Sequence, residues 1–268
     1  MLGFKADILG SVLERVRLQQ PVVHAITNWV TGGDVANALQ ALGARPVLAF
    51  STAEVAEITT RADALYLNLG TPTPDRIAAM LLAGRRANEI GLPVVLDPVG
   101  AGASHFREEA LRQILSELNL TIIRGNRAEI GALAGQGGQL RGIDAVSGPD
   151  DIREAVRVLS ARTGAVVVAS GAMDLIFHDD QMVMVGNGHP LMLRVTGTGC
   201  MLTAVIAAFA AVGNDPLESA VAGVSCFKLA GELAGQTAAG PGAFKTGLMD
   251  FLFTLTPDDL QRSAVIQG

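Results

Sequence analysis

Residues 195–200 (VTGTGC) combine glycines with an uncharged apolar stretch that follows them. Glycines let a bound anion approach the backbone closely, and a helix start offers free N–H groups and the positive end of a dipole. The segment therefore predicts a hole for a transferring phosphoryl group at Gly197, Thr198 and Gly199, although such a turn also packs helices against sheets. Cys200 would lie in the first helical turn, where a thiol pKa tends to fall, and is the candidate catalytic residue.

Two further segments place charged side chains after apolar runs. Asp97 follows VVL and precedes PVGAG, so it would end a buried strand and either hold Mg²⁺ or merely cap a turn. Residues 124–129 (RGNRAE) put Asn126 three positions before Glu129, the spacing of a helix-capping box, which accounts for that pair without any function. Arg124 in the same segment could contact a phosphate.

A fourth segment, residues 24–31 (HAITNWVT), begins inside an apolar run. His24 lies within that run and is interpreted as a hydrogen-bonded core side chain. Asn28 and the only tryptophan, Trp29, come just after it, where a small ligand could be recognised. Neither an H-x-x-x-H pair, a GxxxxGK[ST] loop nor a GxSxG elbow occurs, which argues against the corresponding zinc, P-loop and α/β-hydrolase sites.

The composition narrows the class of protein. The chain is 49% hydrophobic and 17% charged, which excludes a disordered protein, and its 2 cysteines exclude a disulfide framework. The net charge of −6 without a basic stripe argues against nucleic-acid binding. Residues 195–214 carry no charge, but their apolar part, 200–212, is shorter than the roughly 20 residues that span a bilayer. With no recognisable signal peptide, we expect a cytoplasmic protein that does not enter a membrane.

Short apolar runs alternate with stretches of helical periodicity, which predicts βαβ units and a mainly parallel sheet. The predicted strands are residues 22–26, 46–50, 64–69, 93–96, 120–124 and 165–169. The predicted helices are residues 34–42, 74–90, 108–118, 128–134, 150–162, 200–212, 216–236 and 243–255. Because ligands bind beyond the carboxyl ends of parallel strands, the candidate residues should meet at one edge of the sheet.

Towards the C-terminal half the pattern changes. Residues 175–178 and 182–185 flank two aspartates and predict an antiparallel hairpin. Residues 135–149 are glycine-rich and are interpreted as a loop too short to join two domains. We therefore expect one α/β domain over residues 1–268.

The ordered set of segments resembles the hydroxyethylthiazole kinase family of ribokinase-like enzymes. The landmarks are HAITN (24–28), ALGARP (41–46), LNLGT (67–71), LDPV (96–99), IRGN (123–126) with Glu129, and VTGTGC (195–200). The resemblance covers roughly residues 10–215, and most other ribokinase-like enzymes have Asp where this chain has Cys200. It implies a three-layer fold with helices on both faces of the sheet.

The resemblance also implies an activity, in which ATP phosphorylates the alcohol of 4-methyl-5-(2-hydroxyethyl)thiazole in thiamine biosynthesis or salvage. It implies Mg²⁺, and a homotrimer with active sites between subunits. The nucleotide contacts it implies are Arg124 and Ser170, to which we add Asn126 and Thr196. Ser170 stands where Thr is more usual.

On the substrate side the resemblance implies Gly197 and Leu48, where the family has Met, and we add Asn28. Asp97 and Glu129 match the acidic pair near the metal, which they would hold directly or through water. Cys200 would take or orient the proton of the attacking hydroxyl.

Three alternatives stay open. The first is a ribokinase-like kinase of another small alcohol, such as a hydroxymethylpyrimidine or a sugar. The second is a cysteine-nucleophile hydrolase, which would need a histidine such as His24 beside Cys200. The third is a non-catalytic nucleotide-binding regulator.

Overall fold

A nine-stranded sheet forms the centre of the computed structural model, which describes residues 6–137, 139–141, 144–149 and 151–268. The strands of the chain are β1 (Val22–Ile26), β2 (Arg45–Val47), β3 (Ala64–Asn68), β4 (Val94–Asp97), β5 (Ile122–Asn126), β6 (Gln139–Arg141), β7 (Asp144–Ser147), β8 (Val166–Ser170), β9 (Asp174–His178), β10 (Gln181–Val185) and β11 (Ile266–Gln267). The central sheet has the order β11-β10-β9-β8-β5-β4-β3-β1-β2. The six strands β8, β5, β4, β3, β1 and β2 run parallel to one another. Strand β9 pairs antiparallel with β8, β10 with β9, and β11 with β10.

Helices cover both faces of this sheet. They are α1 (Ala6–Gln19), α2 (Gly32–Leu42), α3 (Val55–Thr60), α4 (Pro74–Glu89), α5 (His105–Glu117), α6 (Arg127–Ala134), α7 (Ile152–Thr163), α8 (Thr198–Val212), α9 (Pro216–Thr237), α10 (Pro241–Thr254) and α11 (Pro257–Ser263), with a 3₁₀ helix at Pro190–Arg194. One apolar core lies between the sheet and α1, α2, α8, α9 and α10, and a second lies on the opposite face under α4 to α7. The predicted three-layer α/β fold with a mainly parallel sheet is confirmed.

The helix α8 is almost wholly buried, because α1, α2 and α9 cover it while it lies on β1, β3, β4 and β5. This burial explains its uncharged sequence and confirms that residues 200–212 form a core helix. None of the helices in the described ranges is long and apolar enough to cross a membrane.

All six predicted strands and the β9–β10 hairpin are present, with shifts at their ends. The largest shift is in β2, which stops at Val47 instead of residue 50, because the chain leaves the sheet edge there. The interpretation of residues 135–149 as a loop throughout is wrong, because β6 and β7 pair within it as a short antiparallel ribbon. Helices α1, α3 and α11 were not predicted.

Candidate active site

The carboxyl ends of the parallel strands bring polar side chains to one edge of the sheet. Asn68 ends β3 and is in register with Asp97 at the end of β4. Asn126 ends β5 and is in register with Ser170 at the end of β8. Asn28 lies two residues beyond β1. Four sequence-predicted candidates from separate segments, Asn28, Asp97, Asn126 and Ser170, thus converge, as the parallel strands require.

The turn before α8 fits glycine for two separate reasons. Gly197 has a φ of 92°, in the left-handed region, and a Cβ on it would lie 2.6 Å from Cγ2 of Thr31. A Cβ on Gly199 would lie 2.6 Å from Nη1 of Arg124. The guanidinium therefore lies directly against the first turn of α8, whose free amides favour an anion. Arg124 also donates to the hydroxyl of Ser170.

Cys200 lies in that first turn, close to two asparagine amides. Nδ2 of Asn68 is 3.3 Å from its sulfur and Nδ2 of Asn28 is 3.5 Å away. Burial, reinforced by the negative charge of Asp97, raises the pKa of the Cys200 thiol to about 11. The expectation of a lowered pKa is therefore wrong: desolvation outweighs the helix start, and the thiol is protonated near neutral pH.

Asp97 is buried at the centre of a hydrogen-bond network. Its Oδ2 accepts from Nδ2 of Asn68 at 2.9 Å, from Oγ1 of Thr203 at 3.1 Å and from the hydroxyl of Tyr66 at 3.3 Å. Burial raises the pKa of the Asp97 carboxyl, and the charge of Arg124 opposes that rise. Oδ1 is buried and has no hydrogen-bond partner in the described part of the chain. One carboxylate oxygen is thus available for a ligand.

Glu129 forms the capping box that the sequence predicts at the start of α6. Its Oε2 accepts from the amide of Asn126 at 2.8 Å, and its Oε1 accepts from the amide of Gly100 at 2.9 Å. Burial and the nearby Asp97 raise the pKa of Glu129 to about 7. The side chain therefore links the loop after β4 to the loop after β5, in addition to capping the helix.

Asp97 and Glu129 suit an Mg²⁺ ion that is bound by few protein ligands. Among the residues that the structure describes, no cluster of three His, Cys, Asp or Glu side chains could hold a metal alone. Mg²⁺ commonly keeps several waters and binds through one or two carboxylates plus substrate phosphates. The unpartnered Oδ1 of Asp97 suits that arrangement, and Glu129 could act on a metal-bound water.

A cleft of about 540 Å³ extends from the start of α8 across the ends of β5 and β8. It contains five of the predicted nucleotide and phosphate residues, namely Arg124, Asn126, Ser170, Thr198 and Gly199. Thr196 is exposed and does not line this cleft. The apolar Met192 and Leu193 also line it, so charged and apolar side chains are present in one cleft.

The predicted substrate residues lie on the other side of the glycine turn. Asn28 accepts from the amide and hydroxyl of Thr31, and Thr31 lies against Gly197. Leu48 lies against Gly32, the next residue, where a Cβ would be 3.5 Å from its Cδ2. The turn at residues 197–200 therefore separates these residues from the cleft.

The hydrolase alternative loses the base it required. Nε2 of His24 is 3.1 Å from the carbonyl oxygen of Ala49, and Nδ1 is 2.9 Å from the hydroxyl of Thr59. A carbonyl can only accept, so Nε2 carries the proton in the neutral ring. His24 is fully buried, and this burial lowers its pKa. It is the core histidine that the sequence indicated.

Sequence reasoning missed several residues of this site. Tyr66, Asn68 and Thr203 surround Asp97, and Lys228 lines the cleft. A signal existed for Asn68, which is a polar residue near the end of a predicted buried strand. Thr203 and Lys228 occur in helices without any local motif, and only the packing of those helices brings them here.

Comparison with solved structures places this fold in a known class. A ribokinase-like superfamily protein from Enterococcus faecalis superposes with a TM-score of 0.67 at 16% identity, over 95% of this chain and 96% of that one. This likeness shows the fold alone, and the fold is ribokinase-like.

Closer relatives define the family. The model of the hydroxyethylthiazole kinase family matches residues 13–258. A hydroxyethylthiazole kinase of Roseiflexus sp. is 46% identical over 261 residues, which is 97% of each chain. The structure of a hydroxyethylthiazole kinase protein from Pyrococcus horikoshii superposes with a TM-score of 0.89 at 37% identity, over 97% of this chain and 98% of that one. This chain belongs to the hydroxyethylthiazole kinase family.

Proposed function

We propose that this protein transfers the γ-phosphoryl group of ATP to the alcohol of 4-methyl-5-(2-hydroxyethyl)thiazole, in thiamine biosynthesis or salvage. The observation that carries the proposal is the turn at residues 197–200. It has the cleft with Arg124 and Ser170 on one side, and Asn28 and Leu48 on the other. A phosphoryl group at this turn would be within reach of a nucleotide and of a small alcohol.

Charge neutralisation is the main task of the residues around the turn. Phosphoryl transfer passes through a loose transition state, so positioning and electrostatic stabilisation supply most of the catalysis. Arg124 and the amides of Thr198, Gly199 and Cys200 would stabilise the charge on the equatorial oxygens. Ser170 holds the guanidinium in place through its hydrogen bond.

Cys200 acts in this proposal as a thiol that orients the hydroxyl. Its pKa of about 11 leaves little thiolate at neutral pH, so it is a poor general base. Asn68 and Asn28, which are hydrogen-bonded to each other, both contact the sulfur. In a loose transition state the attacking oxygen keeps its proton until late, which lessens the need for a strong base.

Asp97 and Glu129 would hold Mg²⁺, directly or through water. Bound there, the ion would neutralise phosphate charge. Asp97 contributes an oxygen that no described residue hydrogen-bonds, and Tyr66, Asn68 and Thr203 keep its second oxygen fixed.

A homotrimer with active sites between subunits is part of the proposal. Trp29 and Val30 are 68% and 65% exposed, although they directly follow the substrate residue Asn28. The guanidinium of Arg76 stacks on the ring of Trp29 at 4.4 Å and keeps that ring at the surface. Exposed apolar residues beside a site are typical of a surface that a second subunit covers. Light scattering of the wild type and of a Trp29→Ser, Val30→Ser double variant would test this assembly.

Residues 1–268 would work as one ribokinase-like domain in the cytoplasm, where ATP is available. The decisive experiment is an ADP-release assay with the thiazole alcohol beside pyridoxal, a hydroxymethylpyrimidine and ribose. We expect release that depends on both the thiazole alcohol and Mg²⁺. Preference for another alcohol would favour the broader kinase alternative, and nucleotide binding without any release would favour the regulator.

A further inference from the structure

A buried ion pair lies beside the cleft, outside every motif of the family resemblance. Nζ of Lys228, in the middle of α9, is 3.1 Å from Oδ2 of Asp174, the first residue of β9. Their side chains are 8% and 0% exposed. Removing one partner of such a pair leaves an uncompensated buried charge, which is strongly unfavourable. Each of the two buried charges therefore needs the other to compensate it.

Both members of the pair hold the backbone of Gly171. The amide of Gly171 donates to Oδ1 of Asp174 at 2.8 Å, and Nζ of Lys228 donates to its carbonyl oxygen at 3.0 Å. Gly171 directly follows Ser170, whose hydroxyl accepts from Arg124. The pair thus fixes the turn between β8 and β9 at Gly171, which is next to the residue that Arg124 contacts.

The same helix also holds a second loop that lines the cleft. Glu232 lies one helical turn after Lys228 and accepts from the amide of Gly188 at 3.1 Å through Oε2. Lys228 lies under Gly188 so closely that a Cβ there would be 2.8 Å from its Cε. Gly171, Gly188 and Lys228 all line the cleft. Helix α9 therefore holds two of the loops that line the cleft.

We propose that Lys228 and Asp174 are positioning residues for the nucleotide, which act by holding Ser170 in contact with Arg124. This inference rests on the proposed function, because it takes the cleft to be the ATP site. The pair sets the geometry of the Arg124 guanidinium through the turn, and its effect should therefore fall on nucleotide binding rather than on the alcohol.

The first test is the Lys228→Met variant. We expect the KM for ATP to rise about tenfold, the change that the loss of one hydrogen bond of ordinary net strength produces, with the KM for the alcohol within about twofold of wild type. Thermal-shift titration with ADP alone should show the same weakening. The control is Arg262→Met, which removes an exposed ion pair with Asp258 and should leave both values unchanged.

A double-mutant cycle with Ser170→Ala separates positioning from a direct contact. If the pair acts through Ser170, the Lys228→Met change should have little further effect on ADP binding once Ser170 is replaced. Fully additive effects on ADP affinity would overturn the positioning role. An unchanged KM for ATP in Lys228→Met would overturn it as well.

The Lys228→Met, Asp174→Asn double variant covers the case in which the single variant does not fold. It removes both charges, so no unpaired charge remains buried, yet it still lacks the donor to Gly171. We expect the same loss of ADP affinity, and wild-type affinity would refute the inference. Wild-type protein that binds ADP but does not phosphorylate the alcohol would contradict the proposed function alone. Wild-type protein that does not bind ADP would contradict both.

Discussion

Asn68 donates from its Nδ2 group to the sulfur of Cys200 at 3.3 Å, and the same group lies 2.9 Å from Oδ2 of Asp97. One amide therefore sets the distance between the candidate thiol and the candidate metal ligand. Its oxygen accepts from Asn28 and from the amide of Gly70, both at 2.9 Å, so its orientation is fixed.

The Asn68→Leu variant should lose activity more than stability. Removing the amide leaves Oδ2 of Asp97 with fewer donors, and we expect kcat to fall about 10- to 100-fold, as for other partners that orient metal ligands. The free energy of unfolding should fall by about 1–3 kcal/mol. Steady-state kinetics and urea unfolding measure the two effects. Asn88→Leu is the matched control, because the side chain of Asn88 forms two hydrogen bonds with the backbone of Asn119 at the surface, away from the site.

Alkylation of Cys200 should be slow at neutral pH and keep accelerating into the alkaline range. The thiolate is the reactive form, and burial together with Asp97 raises the thiol pKa to about 11. The iodoacetamide rate, followed by mass spectrometry in a Cys226→Ala background, should still rise between pH 8 and about pH 10. A rate that is already constant at pH 8 would show that the thiolate forms easily and would restore Cys200 as a candidate base.

A methyl group at Gly199 should weaken nucleotide binding. The added Cβ would lie 2.6 Å from Nη1 of Arg124 and would displace the guanidinium from the start of α8. We expect Gly199→Ala to raise the KM for ATP at least about tenfold, since each factor of ten corresponds to about 1.4 kcal/mol. Gly242→Ala provides the control, because a Cβ there meets nothing within 4 Å. Equal KM values for the two variants would contradict the placement of Arg124.

The Asp97→Asn variant removes the carboxylate charge with almost no change in side-chain shape, so it tests the proposed metal role of Asp97. Three donors already point at Oδ2, so the new amide should keep its oxygen there and place its NH₂ group at the unpartnered position. An NH₂ group cannot bind a cation, so the Mg²⁺ concentration for half-maximal rate should rise about 10- to 100-fold. Burial raises the pKa of the native carboxyl, so the neutral amide should leave the melting temperature equal or higher. An unchanged Mg²⁺ titration would remove Asp97 from the metal site.

The sequence was sufficient to predict that the motif residues after the parallel strands lie at one edge of the sheet. Asp97 and Arg124 follow or end apolar runs, and that local pattern predicts where they meet, whereas Ser170 was indicated by the family resemblance. The helix α1 could also have been predicted, since Leu9, Val12, Leu13 and Val16 have helical spacing and are all buried.

Properties that depend on packing between distant segments could not be predicted. The pKa of Cys200 depends on its burial and on Asp97, which is 103 residues earlier in the chain, so the local rule for helix starts gave the wrong direction. Lys228 lies in the middle of a helix, and its partner Asp174 is 54 residues away. Neither residue belongs to a motif, and the pair becomes visible only when α9 packs beside the β8–β9 turn.

Because Trp29 is exposed, the intrinsic tryptophan fluorescence of the protein is sensitive to what covers this surface. It is the only tryptophan in the chain, it directly follows Asn28, and its ring stacks with the guanidinium of Arg76. All indole fluorescence of the protein thus originates on the side of the glycine turn where we propose that the substrate binds. Emission wavelength and quenching by iodide then report directly on whether a ligand or another subunit covers that surface, without any label.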